Sequence, residues 1–293
     1  MLVDRFDRRI TNLRISVTSR CNLNCFYCHR EGYDASNELT PDEIAEIAKA
    51  FRELGVEKLK ITGGEPLVRQ DIVEIVEKLP EFKEISMTTN GIRLSEIAHD
   101  LKKAGLDRVN VSLDTLDGRK YSYATRGGRI ERVISGIEAA VDAELTPIKL
   151  NMVLIDGFNL DEIDRMVEFA KQFEGNVIVQ FIELVNLNYN GEGHFDVYTL
   201  VHKFEKGAKE VRIRGMQKRK QFIFDKYAVE FVKPVDNSEF CMACNRIRVT
   251  ADGKVKPCLM RNDNLVDIRG LKGENLKRAI MKALNLREPY YRG

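Results

Sequence analysis

The residues of this chain best suited to chemistry are six cysteines in two groups of three, with none left over. Cys21, Cys25 and Cys28 fall within eight residues, directly after an apolar run over 13–18. Cys241, Cys244 and Cys258 follow the spacing Cys-x2-Cys-x13-Cys. Thiolates are soft ligands, and a [4Fe–4S] cluster takes four of them. Three leave one iron open to something that is not protein, as catalytic metal sites keep a position that structural ones close. Each group also has a zinc reading. In the first, His29 would be the fourth ligand; for the second no cysteine remains, and His194 and His202 lie far upstream. The N-terminus shows no apolar signal segment, which makes disulfides the weaker reading.

A second element suits an open centre. Thr62-Gly63-Gly64-Glu65-Pro66 follows a strand pattern. Two glycines let a ligand come close to the backbone, and Glu65 offers an acceptor for an ammonium group.

These residues need a frame to position them. Strand patterns over 13–18, 58–62, 84–90, 108–114, 147–154 and 177–184 alternate with helical ones over about 40–54, 70–79, 95–104, 129–143 and 160–172. Thr40-Pro41-Asp42-Glu43 reads as a capping box with proline at the first helical position. Ser95 and Asn159 read as N-caps, and Gly55 and Gly105 as glycines just past helix ends. Alternation at this spacing predicts parallel βα units. The expected fold class is α/β, a partial (βα)6 barrel of the TIM type, with a doubly wound open sheet as the alternative.

Side chains alternate faces along a strand. Leu13, Ile15 and Val17 oppose Arg14, Ser16 and Thr18; Leu59 and Ile61 oppose Lys60 and Thr62. Ser86, Thr88 and Asn90 share a face, as do Asn110, Ser112 and Asp114, and Lys149 and Asn151. Gln180 is polar among mixed neighbours. With the apolar faces on the helices, the polar ones line the interior. Filled barrels carry Val, Ile and Leu there, so a polar, cationic lining predicts a large anionic guest such as a phosphate chain.

From residue 186 the pattern changes to a turn-rich linker, 186–193, then a helix near 197–205 and short strands near 209–214, 221–225 and 227–232. A hairpin turning at Ala251-Asp252-Gly253 and a helix over about 274–285 follow. Cys244, Arg246 and Arg248 share parity, which puts two guanidiniums on the cysteine's side. Two regions are expected: a barrel over 1–185, and an α+β region over 186–293 that carries the second cysteine group and covers the barrel opening. With 47 Lys plus Arg against 45 Asp plus Glu, no overall field points to nucleic acid or a membrane surface. No stretch approaches the ~20 apolar residues of a membrane span. The expectation is a soluble cytoplasmic protein.

The C-x3-C-x-aromatic-C form with Tyr27 before Cys28, together with the Gly-Gly-Glu-Pro loop, resembles the radical S-adenosylmethionine (SAM) enzymes. Leu-Arg-Ile-Ser-Val-Thr, Lys-Ile-Thr-Gly-Gly-Glu-Pro-Leu, Met-Thr-Thr-Asn-Gly, Val-Asn-Val-Ser-Leu-Asp, Lys-Leu-Asn, Phe-Ile-Glu-Leu and Phe-Cys-x2-Cys-Asn-Arg-x-Arg occur in order. Across nearly the whole chain they resemble one radical SAM family, the GTP 3′,8-cyclases of molybdenum-cofactor (molybdopterin) biosynthesis. The resemblance implies a lyase with two [4Fe–4S] clusters, on Cys21, Cys25 and Cys28 and on Cys241, Cys244 and Cys258. It implies that SAM is cleaved reductively to a 5′-deoxyadenosyl radical, which takes hydrogen from C3′ of GTP. Bonding of C3′ to C8 then gives (8S)-3′,8-cyclo-7,8-dihydroguanosine 5′-triphosphate. Tyr27, Gly63, Gly64, Glu65, Ser112 and Val185 fall at its SAM contacts. Arg14, Lys60, Thr88, Lys149, Arg246, Ile247 (through its backbone) and Arg248 fall at its GTP contacts, Arg246 and Arg248 beside the reacting base. The implied partners are an external reductant and a downstream cyclic pyranopterin monophosphate synthase, with the chain as monomer or homodimer. The family usually has Met at Val185, Arg at Gln180 and Gly-Gly in place of Arg292-Gly293. The alternatives are a radical SAM enzyme with an auxiliary cluster acting on a peptide, and a non-enzymatic iron–sulfur electron carrier or zinc-binding protein.

Overall fold

A computed structural model describes residues 1–28, 37–185, 193–234 and 237–290. His29, Arg292, Gly293 and nearly all of the expected linker lie outside the described residues. Six strands run in the order of the chain: β1 (Asn12–Ser16), β2 (Lys58–Thr62), β3 (Glu84–Thr89), β4 (Arg108–Ser112), β5 (Ile148–Leu154) and β6 (Val177–Glu183). Each pairs in parallel with the next. Helices α1 (Pro41–Glu53), α2 (Ile72–Lys78), α3 (Leu94–Lys103), α4 (Gly118–Thr125), α5 (Ile130–Asp142) and α6 (Ile163–Lys171) lie between them. The sheet does not close on itself, so the fold is a partial TIM-type barrel.

Local signals account for most boundaries. At α1 the capping box is complete: Thr40 Oγ1 accepts from the Glu43 N–H at 3.2 Å, and Glu43 Oε2 accepts from the Thr40 N–H at 2.8 Å. Gly55 and Gly105 have φ +94° and +107°, the left-handed backbone glycine adopts without strain. Two expected caps are corrected. Helix α3 starts one residue before Ser95, with Arg93 at its N-cap and no side-chain cap bond. Asn159 stands before a short 3₁₀ turn and gives it no cap either. Its amide instead donates to the carbonyls of Asp114 and Val153, both at 2.8 Å, and accepts from the Ile155 N–H. Helix α4 was not foreseen. It is short, opens on glycine and is N-capped by Asp117, which accepts from the N–H groups of Arg119 and Lys120.

The later strands extend this sheet at both edges. Strand β9 (Ala228–Val232) pairs in parallel with β6, and β10 (Arg246–Val249) in parallel with β1. Beyond β9 stand β8 (Lys220–Ile223) and β7 (Glu210–Ile213); beyond β10 stand β11 (Lys254–Lys256) and β12 (Val266–Asp267), all antiparallel. Among the described residues this is one twelve-stranded sheet. Phe181, Phe204, Phe222 and Phe231 lock the β6 side, with ring centroids 5.8–5.9 Å apart. On the other edge α9 (Gly273–Asn285) packs on α1, where Lys277 meets Glu53 at 2.9 Å. Helices α7 (Val201–Glu205) and α8 (Ser238–Met242) are single short turns. The apolar faces lie where parity put them: Leu13, Ile15, Leu59, Ile61, Val109, Val111, Leu150 and Met152 are buried in the core.

Candidate active site

A cavity of about 800 Å³ runs through the barrel. Parallel strands give it two ends. At their C-terminal ends it meets Tyr27, Cys28, Ser112, Asp114 and Val185; near their N-terminal ends it meets Cys241, Cys244 and Cys258. The two cysteine groups therefore stand at opposite ends of one space.

The first group sits on the loop after β1. Phe26 and Asn24 donate backbone N–H groups to Ala124 and Thr125 at the end of α4, so the helix that sequence reasoning missed holds this loop. The Phe26 ring packs edge-on to Tyr27 and Phe158. The Tyr27 hydroxyl donates to Asp114, whose other oxygen accepts from the Val153 N–H at 2.8 Å. Burial raises the Asp114 carboxyl to about 6, with Tyr27's hydrogen bond working against it. Of the three cysteines, Cys28 lines the cavity and Cys21 and Cys25 do not.

The Gly63-Gly64 loop is shaped by the chain itself. A Cβ at Gly63 would lie 2.7 Å from the Thr18 carbonyl oxygen; one at Gly64 would lie 2.6 Å from that of Ser19 and strike that of Arg20. Gly64 and Glu65 donate N–H groups to Thr18 and Arg20, both at 2.8 Å. The glycines thus let the loop lie flat against the segment that leads into Cys21. Glu65 is buried, and its carboxylate takes the Thr89 hydroxyl at 2.7 Å and the N–H groups of Asn90 and Leu67 at 2.6 and 3.0 Å. Burial raises its pKa against those bonds. Gly63, Gly64 and Glu65 thus also brace the segment that leads into Cys21.

Between the two ends the polar strand faces line the cavity, as parity predicted. Register makes the arrangement sharper. Lys256, Arg248, Arg14, Lys60, Ser86 and Arg108 pair successively across β11, β10, β1, β2, β3 and β4. One level of the sheet therefore carries five cations and one serine. Like charges side by side on a sheet repel, and Glu84 stands beside this level. Glu84 meets Arg108 at 2.8 Å and Lys58 at 3.2 Å; burial raises its carboxyl, yet those cations hold it at about 2. Lys60 donates to Asn110 at 2.9 Å, and burial with the charges of Arg108, Arg246, Lys149 and Arg14 drives it well below the usual lysine range. Arg246 is lowered to about 9 by burial and by Arg248 and Arg14. Thr88 and Lys149 line the same space, as does Gln180. The Ile247 side chain is in the core, leaving only its backbone toward the site.

The second group is braced by residues the sequence reading did not single out. Arg287 donates to the carbonyls of Arg246 and Cys244 at 2.6 and 2.9 Å. Arg8 donates to those of Cys241 and Pro289 at 3.0 and 2.9 Å. Asp4, buried, pairs with both guanidiniums at 2.7 and 3.0 Å. Burial would raise the Cys244 thiol, but Arg287, Arg248 and the Arg246 N–H lower it instead, which favours a thiolate. Cys25 is the opposite case: burial, then Asp114, pushes it to about 12, so its thiolate depends on a bound cation.

All six cysteines are free thiols. Among the described residues no three His, Cys, Asp or Glu side chains converge on a point where one metal ion would sit. The donor set, three soft thiols at each end with polar space between, fits iron–sulfur clusters.

A family model described as the radical SAM superfamily matches residues 15–170, and the chain belongs to that superfamily. A second model, Molybdenum Cofactor Synthesis C, matches residues 177–293. The SAM-bound structure of SuiB from Streptococcus suis shares the fold with TM-score 0.65 at 16% identity, over 94% of this chain and 64% of that one. A protein of Archaeoglobus fulgidus named probable GTP 3′,8-cyclase is 52% identical over all of both chains. One of the same name from Methanosarcina mazei is 49% identical over 99% of this chain and 90% of its own. At that identity over the whole length, these proteins and this chain are members of one family.

Proposed function

We propose that this protein is a GTP 3′,8-cyclase, a lyase of molybdenum-cofactor biosynthesis acting in the cytoplasm. One observation carries the reading: four cations of one sheet level, Arg248, Arg14, Lys60 and Arg108, line a cavity between two cysteine groups at its opposite ends. A triphosphate is a guest that such a row of cations suits. Cys21, Cys25 and Cys28 would hold one [4Fe–4S] cluster, and Cys241, Cys244 and Cys258 a second. With clusters and SAM bound, the chemistry supplied is reductive SAM cleavage to a radical that takes hydrogen from GTP C3′ for bonding to C8. The chain's own residues bind, orient and exclude water. Tyr27, Gly63, Gly64, Glu65, Ser112 and Val185 face SAM at the first end. Arg14, Lys60, Thr88 and Lys149 hold the triphosphate nucleotide between the ends. Arg246, Arg248 and the Ile247 backbone hold the guanine side next to the second cluster. An external reductant supplies electrons, and a cyclic pyranopterin monophosphate synthase takes the product.

Protein loaded with iron and sulfide under anaerobic conditions, given SAM, a reductant and GTP, is expected to form the 3′,8-cyclic nucleotide. Formation of 5′-deoxyadenosine with GTP left intact would overturn the substrate assignment while leaving the radical SAM class standing.

A further inference from the structure

On the β6 side the cavity wall is built by β9 and the β7–β8 hairpin, whose charges the reading above does not use. Glu230 on β9 is fully buried, and three cations share its carboxylate. Lys149 Nζ donates to it, Arg219 Nη1 lies 2.8 Å away, and Arg214 Nη1 lies at 4.0 Å. All three cations line the cavity, whereas Glu230 stands behind them. Two guanidiniums and an ammonium against one carboxylate leave the group cationic. Buried positive charge without a matching anion is costly. Burial would raise the Glu230 carboxyl, but Arg219, Lys149 and Arg214 hold it at about 2, so it stays ionised.

Two further donors on this wall have no hydrogen-bond partner among the described residues: Arg219 Nε and, beside Glu230 in register on β6, Gln180 Nε2. Arg219 is 7% exposed and Gln180 5%. The hairpin that carries both arginines is fixed in place. The Arg214 N–H donates to the Arg219 carbonyl at 2.9 Å, and at the tip the Gln217 N–H donates to the Ala243 carbonyl at 3.0 Å, next to Cys244. The guanidiniums are thus held between the barrel wall and the second cysteine group.

We propose that Arg214 and Arg219 are the residues that read the terminal phosphates of the nucleotide, with Glu230 as the positioning residue behind them. The inference rests on the cavity being the nucleotide site and goes beyond it in saying how triphosphate is told from monophosphate. A guanidinium presents a planar fork that matches phosphate oxygens two at a time. Several cations on one wall suit a group with several negative charges; a single carboxylate would leave most of them unmatched.

The test is equilibrium binding of GTP, GMP and inorganic triphosphate to the cluster-loaded protein under anaerobic conditions, without turnover. Wild type is expected to prefer GTP to GMP, with inorganic triphosphate competing against GTP. Arg214→Gln and Arg219→Gln are each expected to weaken GTP and inorganic triphosphate about tenfold and to leave GMP unchanged. Arg214 is about a third exposed, so its variant folds even if Arg219→Gln sheds iron, and it then decides the matter alone. A parallel loss of GMP affinity in Arg214→Gln, or no loss of GTP affinity in either variant, overturns the inference with the cyclase reading intact. A wild type that binds inorganic triphosphate through these arginines but ignores the guanine supports the subsite and overturns the cyclase reading instead.

Discussion

At the scale of single residues, the cavity gathers many cations, and Lys149 is one of two lysines whose ammonium it pushes down. Burial lowers its ammonium to about 7; Arg219 and Arg214 act with burial, and the Glu230 carboxylate acts against it. The same contact therefore looks different from its two sides, because one carboxylate serves three cations and Lys149 is the only one able to give up its proton. The charged form is the one that meets a phosphate, and it is lost as pH rises through about 7. GTP affinity is expected to fall roughly tenfold between pH 6.5 and 8.5. In Lys149→Met that part of the dependence disappears, leaving the titrations of Lys60 and of the nucleotide. Titrations of both proteins across this range check it; identical slopes would show that Lys149 does not meet the phosphates. Parity alone put Lys149, Lys60 and Arg14 on the lining face. Glu230, Arg214 and Arg219 went unnoticed because nothing local marks them: they come from strands 60 or more residues downstream of Lys149.

At the scale of elements, each cysteine group depends on a segment remote from it in sequence. The first leans on α4 and on the Gly63-Gly64 loop. The second leans on the N-terminal segment, where Asp4 joins Arg8 and Arg287, and these hold the carbonyls of Cys241 and Cys244. Removing one partner of a buried ion group leaves the others uncompensated, a loss of about 3–5 kcal/mol. Asp4→Asn is therefore expected to lower the unfolding free energy by that amount, with a lower denaturant midpoint, and to release first any iron held by the second group. Anaerobic unfolding with iron counted before and after desalting measures both. Retained midpoint and iron would mean that the carbonyls alone hold the guanidiniums. The capping box at α1 and the glycines at 55 and 105 were legible because caps are short-range chemistry. Ser95 was misread because a serine near a helix start competes with a boundary set by packing, here by buried Leu94.

At the scale of the whole molecule, the strands after residue 186 do not form a layer beside the barrel sheet. They continue it, β9 on β6 and β10 on β1, and bury what would otherwise be two open edges. Calorimetry of the loaded protein is expected to show one cooperative transition, and residues 1–185 expressed alone are expected to aggregate. A stable, iron-binding fragment ending near 185 would contradict this. The strand-by-strand pattern from 13 to 184 was readable because each βα unit carries its own periodicity. The joining of the ends was not, since parallel pairing between β1 and β10 spans more than 200 residues and leaves no local trace.

The sequence by itself determined the spacing of the cysteines and the lining. Cysteine spacing is covalent, and the alternation of side chains follows from the pleat of any strand, so Cys21, Cys25, Cys28, Arg14, Lys60 and Lys149 could be placed without coordinates. Only the tertiary structure decided that the two cysteine groups face each other down one cavity, that five cations fall on one level of the sheet, and that Glu230 gathers Lys149, Arg214 and Arg219. Register between parallel strands is set by the packing of their crossover helices and not by any residue within the strands. For that reason the meeting of distant charges, on which the proposed nucleotide site depends, belongs to the fold.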